Sequence, residues 1–154
     1  MRDNLNISDV IVRILAIENY YGKNDFGFSL YNRMQQTRVA NNPKIPKERA
    51  DNQERFIKLI ESFEQKGFDS NFPIELNKKL EVLDGAHRLA LAVYHRIPEI
   101  PYYMPHEKED MDVDYSLNWF SSHGLADLVP IIRKKYTEIV QNYKYEPKHS
   151  EVLP

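Results

Sequence analysis

The 154-residue chain contains no cysteine. That removes disulfides, thiolate metal sites and a cysteine nucleophile from consideration. It has no excess of positive charge either. The formal net charge is −2, so no global field draws the protein onto nucleic acid, although a local basic patch stays open. No stretch reaches the roughly 18 apolar residues that a membrane-spanning helix needs. The opening Met1-Arg2-Asp3-Asn4-Leu5-Asn6 is polar and lacks the apolar core of a signal peptide. The expectation is a cytoplasmic protein with no membrane partner. There is no internal repeat and no low-complexity tract. What the chain does have is 42% apolar residues, among them 10 Tyr and 7 Phe. That is enough for a core, and the length fits a single domain over residues 1–144. A polar tail of residues 145–154, carrying two prolines, is expected to be disordered.

One stretch organises the rest: Leu80-Glu81-Val82-Leu83-Asp84-Gly85-Ala86-His87-Arg88-Leu89-Ala90-Leu91-Ala92-Val93. Leu80, Val82 and Leu83 read as a short strand. Gly85 permits a sharp turn and a close backbone approach to a ligand. From Ala86 the residues are strong helix formers. Free N–H groups at the start of such a helix, with a cation beside them, favour a phosphate-sized anion. Gly85, Ala86, His87 and Arg88 are therefore the candidate anion site. The plainer alternatives are that Asp84 caps the helix and that His87 is a core or capping histidine.

Along the chain, Ser8-Asp9 reads as a helix cap, followed by an apolar helix to about Tyr21. Glu18 lies near its end, either as a catalytic carboxylate or as a solvated one. Asn24-Asp25-Phe26-Gly27 is a turn or cap. A short helix is expected over residues 28–34, with Arg33, Arg38 and Lys44 clustered in or just after it. These three are either phosphate contacts or exposed solubilising charge. Asn41-Asn42-Pro43-Lys44-Ile45-Pro46 is a loop. Asp51 and Glu54 form a near capping box. Phe56, Leu59, Ile60 and Phe63 then make the core-facing stripe of a helix ended by Gly67. Residues 72–76 and 80–83 are expected to pair as a hairpin about Asn77-Lys78-Lys79. After the helix that follows Gly85, residues 97–104 supply a loop and another strand. His106, Glu107, Glu109, Asp110, Asp112 and Asp114 crowd one loop, read as a solvated acidic turn in preference to a hard-cation site. Two further helices are expected, over residues 115–122 and from about Asp127, its cap, to about Asn142.

The pattern Phe56…Ser62-Phe63…Gly67-Phe68, Phe72-Pro73-Ile74-Glu75-Leu76, Leu83-Asp84-Gly85-Ala86-His87-Arg88-Leu89-Ala90 and Ile97-Pro98-Glu99-Ile100-Pro101 resembles the ParB N-terminal domain and sulfiredoxin superfamily. The resemblance covers residues 51–104, about a third of the chain. It implies an α+β fold: a small mixed sheet packed by helices, here with extra N- and C-terminal helices. It also implies that Gly85, Ala86, His87 and Arg88 hold nucleotide phosphates.

Several functions share that fold. The sulfiredoxin reaction needs a cysteine in the turn, where this chain has Ala86. Chromosome partitioning uses a following DNA-binding domain, for which only about two helices remain. The branch left is that of ParB-like small-molecule kinases, which move phosphate from a nucleotide to a small hydroxyl acceptor. The resemblance then implies ATP or ADP with Mg²⁺. Asp84 would orient the metal or accept the acceptor's proton, and Glu18 would stand in for an N-terminal catalytic glutamate. Arg33 or Arg38 would neutralise the transferring phosphate. The alternatives are a non-enzymatic nucleotide-binding regulator and a ParB-like nuclease or DNA-binding protein, against which the net charge argues.

Overall fold

The apolar run that opens the chain folds as helix α1 (Ser8–Tyr20) and lies at the centre of the molecule. Residues 8–17 are all buried, so the helix is covered on every side rather than along one stripe. A computed structural model describes residues 7–105 and 115–144. Around α1 pack α2 (Gly27–Asn41), α4 (Ala86–Tyr94) and α6 (Val129–Lys144). Helix α3 (Gln53–Lys66) covers α4 with Phe56, Ile60 and Phe63, as its stripe predicts. Helix α5 (Leu117–Ser122) buries Leu117, Trp119 and Phe120 in the same core.

Helices α1 and α2 approach backbone to backbone. A Cβ on Gly27 would lie 2.0 Å from the carbonyl oxygen of Leu15. The turn between them is held by two asparagines. Asn24 Oδ1 accepts the N–H groups of Phe26 and Gly27, and Asn19 Oδ1 accepts that of Phe28.

The sheet is small and mixed. Strand β1 (Ile74–Leu76) is central, antiparallel to β2 (Val82–Asp84) and parallel to β3 (Tyr102–Tyr103). The fold is thus α+β, with one sheet and six α-helices among the described residues. No helix among them is long and apolar enough to cross a membrane.

Four local expectations need correction. Ser8 and Asp9 lie inside α1 and are buried, and neither caps it. Helix α2 is not short: it continues to Asn41 and carries Arg38 on its last turns. The capping box at Asp51 does not form. Asn52 occupies the N-cap, and its side chain is turned instead to Tyr31. Leu80 is not in a strand, because it adopts φ 64 in a turn knotted by Asn77, whose Oδ1 accepts the N–H groups of Lys79 and Glu81. The acidic loop from His106 to Asp114 and the tail from Tyr145 lie outside the described residues.

Candidate functional site: a cationic cavity at the start of helix α4

The turn Asp84-Gly85 joins β2 to α4 with Gly85 in the left-handed region, φ 103. No side chain caps the helix, so its first N–H groups are left for another partner. They open onto a cavity of about 560 Å³. Asp84, Gly85, Ala86 and His87 form one wall, while Arg13, Arg38, Lys44 and Arg49 bring positive charge from α1, α2 and the loop after it. Against these four cations stand, among the described residues, two carboxylates, Asp9 and Asp84. The described lining therefore carries an excess of positive charge, although the chain is negative overall.

Arg13 is the buried anchor, with 2% of its surface exposed. Its guanidinium bonds Asp9 at 3.1 Å and, at 3.4 Å, Gln35 Oε1. Burial and then the neighbouring Arg38 lower its pKa, with Asp9 acting the other way. Arg38 donates to the same Gln35 oxygen at 2.7 Å and lies over the Tyr115 ring at 4.5 Å. Gln35 completes the frame by donating to the carbonyl of Arg49. The Nε atoms of Arg13 and Arg38, and Asn52 Oδ1, are buried without a partner.

His87 sits where α4 meets this frame. Tyr31 Oη lies 2.8 Å from its Nε2, and Asn52 Nδ2 donates to the same hydroxyl at 3.1 Å. Tyr31 and His87 share one hydrogen bond through these atoms, donated by the hydroxyl when Nε2 is the bare nitrogen and by Nε2–H in the other tautomer. Burial first, and then Arg13, Arg38, Arg49 and Arg55, push the imidazole pKa well below its ordinary value. His87 is therefore a neutral imidazole in a positive cavity, able to donate or accept a hydrogen bond without adding charge.

The sequence-derived candidates separate into two groups. Asp84, Gly85, Ala86, His87 and Arg38 converge on the cavity. Arg88, Arg33 and Glu18 are not part of its lining. Arg88 directs its guanidinium to the carbonyls of Phe72 and Pro73 and to Asp84, tying α4 to the segment before β1. Arg33 makes two bonds to Asp127, at 2.7 and 3.0 Å, which also engages the side chain expected to cap the last helix. Glu18 accepts from Lys135 of α6 at 2.7 Å.

Arg13, Arg49, Gln35, Asn52 and Tyr115 complete the cavity but were not singled out as site residues. Arg13 did carry a signal: it is a lone cation inside Val10-Ile11-Val12-Arg13-Ile14-Leu15-Ala16-Ile17. A run that apolar can be buried all round, and a charge within it then needs a buried purpose.

No group of three or more His, Asp or Glu side chains among the described residues is arranged to hold a metal ion. Magnesium bound through nucleotide phosphates needs only one or two carboxylates. Of the two on the cavity wall, Asp9 is engaged by Arg13 and Asp84 is exposed. Compared with known proteins, the chain matches no family model, no curated protein and no solved structure.

Proposed function

We propose that the chain binds a nucleotide through its phosphates in the cavity at the start of α4, and that it transfers a phosphoryl group from it to a small hydroxyl compound. One observation carries the reading: four basic side chains and the uncapped end of a helix converge on one cavity whose described lining holds two carboxylates. Arg13 is buried and Arg38 and Arg49 are half-buried, so an excess of positive charge here is costly. A phosphate group offsets it, because it is an anion with several acceptor oxygens.

On this reading the N–H groups of Ala86 and His87 and the side chains of Arg13, Arg38 and Arg49 hold the phosphates. His87 contributes a neutral ring, which donates through Nδ1–H when Nε2 accepts from Tyr31. Arg88 acts at one remove by keeping the turn against the segment before β1. Phosphoryl transfer depends on positioning and on charge neutralisation. The acceptor oxygen bonds to phosphorus, the bond to the leaving nucleotide oxygen breaks, and the hydroxyl proton passes to Asp84. Asp84 is the carboxylate exposed at the wall, and it would also take Mg²⁺ if the metal bridges the phosphates. The resemblance of residues 51–104 to the ParB and sulfiredoxin superfamily points to the same turn, and the mixed three-stranded sheet beside it is compatible with that fold.

Isothermal titration with ATP, ADP and CTP, with and without Mg²⁺, tests the binding. One site per chain is expected, weakened about ten-fold or more by Arg13→Met or Arg38→Met. Absence of binding to every nucleotide would refute it. Binding without product formation, over a panel of hydroxyl metabolites, would leave a nucleotide-binding regulator in place of an enzyme.

A further inference from the structure

A second, smaller cavity of about 140 Å³ adjoins the first. It is lined by Arg38, Asn41, Asn42, Tyr115, Trp119 and His123. Arg38, Asn42 and Tyr115 belong to both cavities, so the two meet along one shared wall. Their chemistry differs. The first is basic, while the second is faced by three aromatic rings at i, i+4 and i+8 about helix α5. Tyr115 meets Trp119 edge to face at 4.8 Å, and Trp119 stacks on His123 at 4.7 Å with 22° between the planes.

The polar edges of this cavity are fixed by their other bonds. His123 Nδ1 lies 2.8 Å from the Trp119 carbonyl, an acceptor, so Nδ1 carries a proton and is engaged there. Asn41 donates its amide to Thr37, which leaves Oδ1 as an acceptor. Asn42 uses Oδ1 to accept the N–H of Lys44, which leaves its amide N–H groups to donate. An aromatic pocket with an acceptor, Asn41 Oδ1, and a donor, the Asn42 amide, on its rim suits a flat heteroaromatic ring that bears an exocyclic amine.

We infer that this aromatic cavity is the nucleobase subsite, which receives the base of an amino-bearing nucleotide, adenine or cytosine, while the adjoining basic cavity holds its phosphates. The inference rests on the phosphate-binding reading above. Arg38 is the hinge of the arrangement: its guanidinium covers Tyr115 on the boundary and contributes charge to the phosphate side. Stacking of a base on aromatic or guanidinium planes supplies affinity that the phosphates alone do not.

The chain contains a single tryptophan, Trp119, so intrinsic fluorescence reports on this cavity directly. ADP and inorganic pyrophosphate are compared by calorimetry and by fluorescence on the intact chain. ADP is expected to bind about ten-fold or more tighter than pyrophosphate and to change Trp119 emission, whereas pyrophosphate binds without that change. His123→Ala, at a half-buried position that leaves Trp119 in place, is expected to weaken ADP about five- to ten-fold and to leave pyrophosphate unaffected. Equal affinity for the two ligands with unchanged emission would overturn the nucleobase subsite while the phosphate reading survives. Equal weakening of both ligands by His123→Ala would also overturn it. Failure of both ligands to bind would overturn the phosphate reading and the subsite with it.

Discussion

Replacing Arg38 by Met separates a residue kept for a ligand from one kept for the fold. In the free protein Arg38 makes one charge-assisted bond, to Gln35 Oε1 at 2.7 Å, and one cation–π contact with Tyr115. Their loss costs about 2–4 kcal/mol together. Arg38 also repels Arg13, since both guanidinium groups donate to the same oxygen, at 2.7 and 3.4 Å. The two nitrogens lie no further apart than those bonds laid end to end, about 6 Å. Two like charges at that distance repel by ~3 kcal/mol at an effective dielectric constant of about 20. The gain and the loss nearly cancel, and Met keeps most of the aliphatic stem. Arg38→Met is therefore expected to change stability by less than about 1 kcal/mol, or less than about 4 °C in Tm for a chain of this length. Its effect on the ligand is the opposite. On the proposed reading, loss of one charged partner is expected to weaken ADP binding about ten- to a hundred-fold. The assay is a thermal melt with and without ADP. At about a hundred times Kd the ligand adds ~2.7 kcal/mol, which raises the wild-type Tm by about 5–10 °C. The variant at the same ADP concentration loses about half of that rise at a ten-fold weakening and most of it at a hundred-fold one. A variant that melts 8 °C or more below wild type yet keeps its affinity for ADP would refute the reasoning, because Arg38 would then be a structural residue.

Other outcomes are expected from the same structure. Gly27→Ala places a Cβ 2.0 Å from the Leu15 carbonyl and forces α1 and α2 apart; a loss of about 3 kcal/mol or more in urea unfolding is expected, and a loss below 1 kcal/mol would contradict the close approach. Glu18→Gln removes the charge paired with Lys135 and is expected to cost about 1 kcal/mol of stability with nucleotide affinity and turnover unchanged; a hundred-fold fall in turnover at equal stability would return Glu18 to the catalytic machinery. His87 is held neutral with a lowered pKa, and His95 shifts the same way, chiefly by burial. The unfolded chain therefore binds more protons than the folded one once the pH falls below about 6.5. Stability is full above that pH and declines below it, by up to ~1.4 kcal/mol per pH unit for each group. Denaturant titrations between pH 7 and 5 are expected to show this decline, with a shallower slope in His87→Gln; an unchanged slope would mean that His87 titrates normally.

Local physics determined much of the secondary structure. The stripe Phe56, Leu59, Ile60, Phe63 and the stop at Gly67 specify α3 because one buried face of a helix has a period that a sequence displays. Gly85 between an apolar strand and an Ala-Leu helix specifies the turn because few residues tolerate φ 103. The strand, the turn at Gly85 and the start of α4 were legible for the same reason: they depend on neighbours in the chain. The ends of elements were less legible. Ser8 and Asn52 have the side chains of caps, yet Ser8 is buried inside α1, and Asn52 makes a tertiary bond to Tyr31 in place of a local one.

What only the tertiary structure decided is which charges share a cavity. Arg88 is adjacent in sequence to the turn but spends its guanidinium on the carbonyls of Phe72 and Pro73. Arg13 lies far away in sequence, inside an apolar helix, and is part of the cavity wall. Arg33 and Arg38 are five positions apart on one helix, more than one turn, and face different surroundings: Asp127 for one, the cavity for the other. Electrostatics acts through space. Sequence proximity sets the turn before α4, and packing around α1 sets which cations share its cavity.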